Sequence, residues 1–480
     1  MTFRAALFII LSVTFSINAS AQPAIQAASP AETVEAVFEP NYRNARVMAV
    51  EAAIAGAQAE YGIISQSAAD EIARTASVAY APLADVEAEY DIVRHRMVAL
   101  LNVWRRSLSQ TAGDALHLGV TTVDVYDTVM VLQLLDASAL IIGQMQALEQ
   151  ELVCLAQANR DTPMIGRTLG QHALPITFGA KVSVWAAQNR RNIDRLHETR
   201  RRLESSGVLK GAVGTYLGLG DQAMEIERSV SARLGLAPPE PADWRAARDV
   251  FAEYAQVLAL IARSNANMGG EVFRLQSTDI GEVRERLSAT SVGSSTMPHK
   301  RNPSLSEALI YHGRTIAAVA EIVLADVENV FERDNTSRPN ATLGDISIEA
   351  AQMLSDSRRL VMRLEVDPLR MRANIDLTDG MIMSQRVMLY LAESMSREEA
   401  ETRVRLAAER SLGSGKSFRA ELLSDPLIAP ELDGQLDALL DPLADLGLAA
   451  KQTDATRDWI AHVRALRGEP PLAECPSPAG

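Results

Sequence analysis

The sequence predicts an all-α protein, and its composition and its patterning both lead to that fold class. Hydrophobic residues make up 47% of the 480 residues but aromatic residues only 5%, so the core consists mainly of Ala, Leu, Val, Ile and Met. A core of this kind favours helices over sheets. Two long stretches, one beginning near Val125 and one after Pro303, also repeat their apolar residues with helical spacing. We therefore expect long helices packed into a bundle.

Length, net charge and cysteine content narrow the number of domains and the classes of ligand that the chain can bind. A chain of 480 residues exceeds one ordinary hydrophobic core, so two or three domains are expected. The formal net charge of −14 argues against a general nucleic-acid binder, although a local cluster of Lys and Arg still permits an anionic small molecule. Cys154 and Cys475 are the only cysteines. They give no disulfide framework and no zinc or iron–sulfur spacing, so we expect neither a metal nor a cofactor.

The first 21 residues have the pattern of a secretory signal peptide. Arg4 precedes an apolar run over 5–15, and Ala19-Ser20-Ala21 follows as a small-residue cleavage site. The apolar run is too short to span a membrane. We predict cleavage after Ala21 and export to the periplasm or the medium, with no membrane attachment afterwards. An uncleaved apolar extension is the alternative.

The most informative stretch is the run GSSTMPHKRNP, which begins at residue 293 and precedes a long apolar helix. Gly293 permits a tight turn that presents Ser294 and Ser295. Asn302 is placed to cap the following helix, whose N-terminus attracts anions, and Lys300 adds a positive charge nearby. This combination suits a substrate carboxylate, with one of the serines as the base that removes a proton from the neighbouring carbon. A loop that merely connects two helices is the alternative.

This run resembles the Gly-Ser-Ser-x-Met-Pro-x-Lys-x-Asn signature of the fumarase/aspartase superfamily. Its form is most similar to the branch of adenylosuccinate lyase and 3-carboxy-cis,cis-muconate cycloisomerase. The resemblance implies a three-domain, mostly helical homotetramer whose active sites are each shared by three subunits. It also implies removal of a proton from the carbon next to a carboxylate, and loss of a group from the adjacent carbon of a succinate-like di- or tricarboxylate.

Two segments in the first third of the chain extend this resemblance. His95 lies where adenylosuccinate lyases place a histidine beside the substrate, and a surface histidine is the alternative. The run HLGVTTVDVYDT, which begins at His117, is similar to a superfamily region that binds substrate carboxylates through hydroxyl groups. Here Thr121 and Thr122 supply the hydroxyls. Thr121 and Asp124 also form a capping-box pattern, which predicts a helix over 125–156.

A third segment, GRTLGQHALPITFG from residue 166, resembles the superfamily but departs from it at one position. The histidine that protonates the leaving group in the C–N and C–O lyases is replaced by Leu169. An amine needs that proton and a carboxylate needs little help, so Leu169 favours cycloisomerase-like chemistry. His172 is a candidate acid from a shifted position, or else a buried structural histidine. Pro175 is expected to begin a helix that ends near Glu204.

Further helices are predicted over 242–268 and from Pro303 to about Glu332. The second has an apolar seam. The residues of that seam are Leu305, Leu309, His312, Ile316, Val319, Val323, Val327 and Val330. The residues after this helix lack the pattern with which adenylosuccinate lyases bind the nucleotide phosphate. Among them, Arg338 is a candidate for binding a further carboxylate of the substrate.

The prediction as a whole is a signal peptide over 1–21, an N-terminal helical domain over 22–120, a central bundle over 121–366, a C-terminal helical domain over 367–467 and a disordered tail over 468–480. The candidate catalytic residues are Ser294, Ser295 and His172. The residues expected to bind the substrate are His95, His117, Thr121, Thr122, Thr168, Gln171, Lys300, Asn302 and Arg338. A muconate-type cycloisomerase is favoured. The alternatives are a C–N lyase that releases fumarate from an N-substituted aspartate, and an inactive scaffold or binding protein.

Overall fold

A computed structural model describes residues 30–242, 247–287, 293–334, 336 and 338–476 of the chain. The predicted signal peptide over 1–21 and its cleavage site lie outside the described residues. Within them the fold is mostly helical, as the composition predicts.

Six helices precede the central bundle. They are α1 Val34–Val37, α2 Pro40–Glu60, α3 Gln66–Thr75, α4 Leu83–Val93, α5 Arg96–Arg105 and α6 Gln110–Ala115. The longest of them, α2, is buried on most of its surface because its Ala-rich sequence lets neighbouring helices approach closely. It packs against the first half of the long central helix that follows.

In the part of the chain that the structure describes, the central bundle contains five long helices and the shorter α9. They are α7 Thr122–Ala158, α8 Phe178–Glu204, α9 Ala223–Arg233, α10 Asp249–Leu275, α11 Ser304–Ala325 and α12 Pro339–Met362. The most apolar part of α7 is 78% buried, so this helix forms the axis of the core. The predicted capping role of Asp124 is confirmed, because its carboxylate accepts a hydrogen bond from the Thr121 N–H at 3.1 Å.

Three predicted helix boundaries are wrong. The helix expected over 242–268 spans Asp249–Leu275, and the helix expected to reach Glu332 ends at Ala325. After Ala325 the chain turns, with the Asn329 amide bonded to the Asp326 carbonyl and Phe331 at a φ of 61°. Val327 and Val330, which were expected in the helical seam, are therefore exposed.

A β-hairpin lies between α7 and α8, where the sequence suggested a helix from Pro175. Strands β1 Pro163–Thr168 and β2 Gln171–Thr177 pair in antiparallel fashion, and α8 begins only at Phe178. Leu169 and Gly170 form the two-residue turn, with φ values of 51° and 77°. A second short pair, β3 Val283–Glu285 with β4 Leu364–Val366, joins the two ends of the segment that contains α11 and α12.

The C-terminal helices build a second, smaller core. They are α13 Pro368–Asp376, α14 Ser384–Leu391, α15 Arg397–Ser414, α16 Phe418–Leu423, α17 Ala429–Leu432, α18 Leu436–Leu440 and α19 Ala449–Arg467, with a 3₁₀ turn at Met381–Met383. Residues of α14 to α18 pack around Phe418, whereas α19 returns to pack on α8 of the bundle. The domain limits suggested by the sequence remain predictions.

The segment after α19 corrects two expectations, because it is ordered up to residue 476 and carries a disulfide. Leu472 packs against the main core, Ala473 exchanges two hydrogen bonds with the Gln150 side chain, and Cys475 is bonded to Cys154 of α7. The two cysteines are 321 residues apart in sequence, so their spacing gave no sign of the bond. The last predicted tail residues, 477–480, lie outside the described residues.

The bundle is long, so its two ends lie far apart. At 1.5 Å per residue, the 37 residues of α7 extend over about 55 Å. We call the end that carries Thr121 and Thr122 the threonine end. We call the opposite end, which carries the β1–β2 hairpin, the hairpin end.

Candidate active site

The signature loop, residues 293–303, lies at the hairpin end. Glu282, shortly before the loop, forms a two-point ion pair with Arg167 of β1 at 2.7 and 2.9 Å. The Gln276 side chain, just after α10, donates to the Arg301 carbonyl at 3.1 Å. The loop and the hairpin are thus anchored to the same end of the bundle.

Gly293 is required by a close approach of two backbone segments. A Cβ at this position would lie 2.6 Å from the carbonyl oxygen of Lys300 and 3.2 Å from the Cα of Arg301. Any side chain would therefore force the two ends of the loop apart. The glycine lets the chain close into a compact loop that presents the serines.

Ser294 is held in a defined geometry, which distinguishes it from Ser295. Its Oγ accepts hydrogen bonds from the backbone N–H of Met297 at 3.1 Å and of Thr296 at 3.4 Å. N–H donors that point at a hydroxyl oxygen stabilise negative charge on it, as an alkoxide base requires. In the described part of the chain the exposed Ser295 side chain has no such partner. Ser294 is therefore the better candidate base.

The N-terminus of α11 is not free for a substrate, which corrects one expectation. The Glu285 carboxylate accepts from the backbone N–H of Leu305 at 3.0 Å and of Ser306 at 2.9 Å, and from the Ser306 hydroxyl at 2.7 Å. The expected cap, Asn302, makes no side-chain capping bond, and Pro303 is the capping residue. The protein's own buried carboxylate thus occupies the anion-binding position. Lys300 and Asn302 are exposed and free to face a ligand.

The hairpin carries Thr168, Gln171 and His172 toward the same end. Thr168 and Gln171 are exposed on either side of the turn, and the Leu169 side chain at its tip is fully exposed. Burial, assisted by the charge of Arg167, lowers the pKa of His172. His172 is therefore neutral at pH 7, which makes it a poor proton donor for a leaving group.

At the threonine end, Asp124 ties the start of α7 to a glycine-rich loop. Its carboxylate accepts from the backbone N–H of Lys210 at 3.0 Å and of Gly211 at 3.1 Å, in addition to that of Thr121. Burial raises the pKa of Asp124 to about 6, against the lowering effect of these donors. Thr121 and Thr122 are half-buried beside this junction.

The remaining predicted site residues also belong to the threonine end. His117 Nδ1 lies 2.6 Å from the Glu51 carboxylate of α2. The exposed His95 caps α5 through its Nδ1, which accepts from the Val98 N–H at 3.3 Å. Arg338 is exposed at the start of α12, the helix that bonds through Ser347 to Tyr254 near the start of α10.

The structure therefore divides the predicted site residues into two sets at opposite ends of one bundle. The hairpin-end set is Thr168, Gln171, His172, Ser294, Ser295, Lys300 and Asn302. The threonine-end set is His95, His117, Thr121, Thr122 and Arg338. The helices that connect the two sets are about 40 Å long for the 27 residues of α10 and about 55 Å for the 37 residues of α7, so one copy of the chain does not bring a serine base and the threonine hydroxyls to one small substrate.

Sequence reasoning missed the charged side chains that organise the two ends. Glu51, Glu285 and Glu282 each accept from groups far away in sequence, at separations of 66, 21 and 115 residues. No local pattern marks any of them. Arg167 was visible inside a superfamily-like segment, but its partner was not.

Two family profiles match the chain. The profile of the Lyase family matches residues 27–317, and that of the adenylosuccinate lyase C-terminus matches residues 380–456. The chain is 36% identical over 460 residues to a 3-carboxy-cis,cis-muconate cycloisomerase of Pseudomonas aeruginosa, covering 94% of this chain and 97% of that protein. It is 34% identical over 424 residues to an N-acetyl-S-(2-succino)cysteine lyase of Dickeya dadantii, covering 88% and 93%.

A solved structure shares the fold. The crystal structure of a fumarate lyase from Mesorhizobium sp. BNC1 superposes with a TM-score of 0.81 at 31% sequence identity. The match covers 88% of this chain and 96% of that one.

Proposed function

This chain belongs to the fumarase/aspartase superfamily of lyases and cycloisomerases, and from that premise we propose the bond that it breaks. The proposed reaction removes a proton from the carbon next to a carboxylate and expels an oxygen leaving group from the adjacent carbon, as in a muconate-type cycloisomerase. The reverse reaction closes a lactone.

Ser294 is the proposed base. The N–H groups of Thr296 and Met297 stabilise its alkoxide, and Lys300 supplies positive charge from the same loop. As the proton leaves, charge develops on the neighbouring substrate carboxylate, and fixed donors there lower the barrier. The hydroxyls of Thr121 and Thr122 are the proposed donors.

The observation that carries the choice of leaving group is Leu169. The superfamily position for a proton donor is occupied here by an apolar side chain at the tip of the hairpin. The nearest alternative donor on the hairpin, His172, has a lowered pKa and is neutral. An amine departs poorly without a proton, whereas a carboxylate departs as a stable anion. The chemistry of this end therefore favours cleavage of a C–O bond.

A C–S lyase acting on an S-succinyl thiol is the second candidate. A thiolate needs less help from an acid than an amine does, because the pKa of a thiol is near 8.5. The similarity to the Dickeya enzyme over 88% of this chain favours it further. The C–N lyase considered from the sequence is less favoured, because its leaving group needs the missing acid.

We also propose that the site is completed by other copies of the chain in a homotetramer. The two residue sets lie at opposite ends of one bundle, so copies packed in antiparallel fashion would bring one set against the other. The most apolar part of α11 is only 28% buried, and Tyr311 and Ile322 on it are exposed. That exposed apolar face is the proposed surface between copies.

Export is proposed on two observations. The first 21 residues have the pattern of a signal peptide. The Cys154–Cys475 disulfide is a bond that persists in oxidising compartments and is rare in the cytosol. N-terminal sequencing of the periplasmic protein is expected to begin at Gln22. A chain that keeps Met1 and remains in the cytoplasm would contradict export.

The function is tested by following the absorbance of the conjugated product with three classes of substrate. These are a carboxymuconate and its lactone, N-acetyl-S-(2-succino)cysteine, and an N-substituted aspartate such as adenylosuccinate. We expect turnover of the first. Turnover of the N-substituted aspartate alone would overturn the proposal, and no turnover by a folded oligomer would favour the inactive scaffold.

A further inference from the structure

The Glu51 carboxylate pairs with one side chain, His117, whereas the Asp124 carboxylate at the same end accepts from three backbone N–H groups. The Glu51 side chain is fully buried, and its Oε1 lies 2.6 Å from His117 Nδ1. Its second oxygen, Oε2, has no hydrogen-bond partner among the residues that the structure describes. Within the described chain, the imidazole is therefore the group that compensates this buried carboxylate.

The backbone around His117 is fixed from two sides. His117 has a φ of 67°, and Gly119 follows at 73°, so both lie in the left-handed region. A Cβ on Gly119 would be 2.8 Å from the Gly218 carbonyl oxygen, so the glycine-rich loop packs directly on this segment. The Gln58 side chain of α2, two turns after Glu51, donates to the Leu118 carbonyl at 2.8 Å. A residue other than Gly in this conformation is uncommon and marks a constrained position.

The other ring nitrogen of His117 is available. The side chain is 19% exposed. Nε2 is accessible to solvent, and it makes no hydrogen bond within the described residues. His117 lies four residues before Thr121, at the same end of the bundle. Its free nitrogen therefore faces solvent at the end of the bundle that carries the hydroxyls proposed to bind the substrate.

We propose that Glu51 is a positioning residue that fixes the His117 ring through Nδ1–H, so that His117 presents Nε2–H to a substrate carboxylate at the threonine end. This inference rests on the proposed function. It assigns His117 the part of a charged donor, and it gives Glu51 a role in the reaction although Glu51 never touches the substrate.

The chemistry follows from the buried charge. The proposal places a proton on each ring nitrogen, with Nδ1–H donated to Glu51 and Nε2–H to the substrate, because a buried carboxylate without a partner is costly. When Ser294 takes the proton from the substrate carbon, the electrons of that C–H bond first delocalise onto the neighbouring carboxylate. They then form the new double bond as the C–O bond on the adjacent carbon breaks and its electron pair leaves with the departing carboxylate. The Nε2–H bond strengthens as that charge grows, so it stabilises the transition state more than the bound substrate. No proton leaves His117 in this step.

The test uses the full exported chain and a substrate that the wild-type enzyme turns over. His117→Gln removes the charged donor, and kcat is expected to fall about 10²–10³-fold, as for loss of one donor to a developing anion. Glu51→Gln keeps an acceptor for Nδ1–H but removes the charge, so a fall in kcat of about tenfold with little change in KM is expected. Glu60→Gln makes the same change on the same helix, at a side chain that is 45% exposed, and should leave kcat unchanged.

Two further readouts separate positioning from a merely structural role. If Glu51 acts through His117, the double variant is no slower than His117→Gln alone. In ¹⁵N-histidine-labelled protein, the His117 signal, identified by its loss in His117→Gln, should show a proton on Nδ1 that is hydrogen-bonded to the carboxylate. This measurement requires no turnover, and it leaves the buried Glu51 unsubstituted.

The possible outcomes are distinct. Additive effects of the two substitutions, full activity of His117→Gln, or an unprotonated Nδ1 would overturn this inference while leaving the proposed function intact. Absence of wild-type turnover on every substrate class would overturn both.

Discussion

At the residue scale, Ser294 is the group on which the proposed chemistry depends. Ser294→Ala removes the base but leaves the loop backbone unchanged, so kcat should fall by about 10²–10⁴-fold. Ser295→Ala is the matched control, since its exposed side chain has no partner in the described chain, and it should retain most activity. Steady-state kinetics at an unchanged melting temperature provide the measurement. Undiminished turnover by Ser294→Ala would assign the proton transfer to another group.

Asp124 predicts a pH dependence of stability. Burial raises its pKa from 3.8 to about 6 in the folded protein, so the folded state binds more protons than the unfolded state between these values. Its contribution to stability is therefore fully present below about pH 4 and is lost as the pH rises through about 6. The melting temperature of the wild type, measured relative to Asp124→Asn, should decrease over that interval. A difference that is constant with pH would contradict this reading of the site.

At the element scale, the loop over 293–303 depends on a glycine. Gly293→Ala places a Cβ against the Lys300 carbonyl, so the loop must open and Ser294 must move. A displacement of about 1 Å is enough to lower kcat by up to about 10²-fold. Gly413→Ala, in the exposed part of α15 with nothing within 4 Å of the new Cβ, should leave kcat unchanged. Equal kinetics for the two variants would show that the closed loop is not required.

The C-terminal segment is a second element whose role is measurable. The disulfide from Cys475 to α7 is supported by the buried pairing of Glu469 with Arg190 at 2.9 Å. Cys475→Ser should lower the free energy of unfolding by about 2–4 kcal/mol. Unfolding in denaturant with and without a reductant provides the measurement. The wild type should become less stable when reduced and the variant should not; equal sensitivity in both proteins would mean that the bond does not form.

The limits of sequence reasoning are clearest for these elements. The capping role of Asp124 was predictable because the capping-box pattern occupies four consecutive residues, 121–124. The β1–β2 hairpin was missed because Pro175 looked like a helix start, although Leu169-Gly170 forms the turn. The pairs Glu51–His117 and Cys154–Cys475 depend on packing between distant segments, which local patterns do not encode.

At the scale of the whole molecule, the all-α bundle and the superfamily were predictable from composition and from the signature segments. The resemblance implied active sites shared between subunits, but which residues lie at which end of the bundle was not predictable, because these segments follow one another along the chain. That division appears only when the length of α7 is taken into account. In the proposed function, this division makes assembly a condition of activity.

The most direct test of this shared site is complementation between two inactive variants. Ser294→Ala disables the hairpin end and Thr122→Val the threonine end, and each homo-oligomer should be nearly inactive. The two chains are co-expressed with different tags and purified as mixed oligomers, which should regain about a quarter of wild-type activity. In random assembly, the chain that supplies the serine is intact there about half the time, and so is the chain that supplies the threonine, so about one site in four has both parts intact. No recovery in mixed oligomers would contradict the account, since it would mean that one copy supplies both parts of the site.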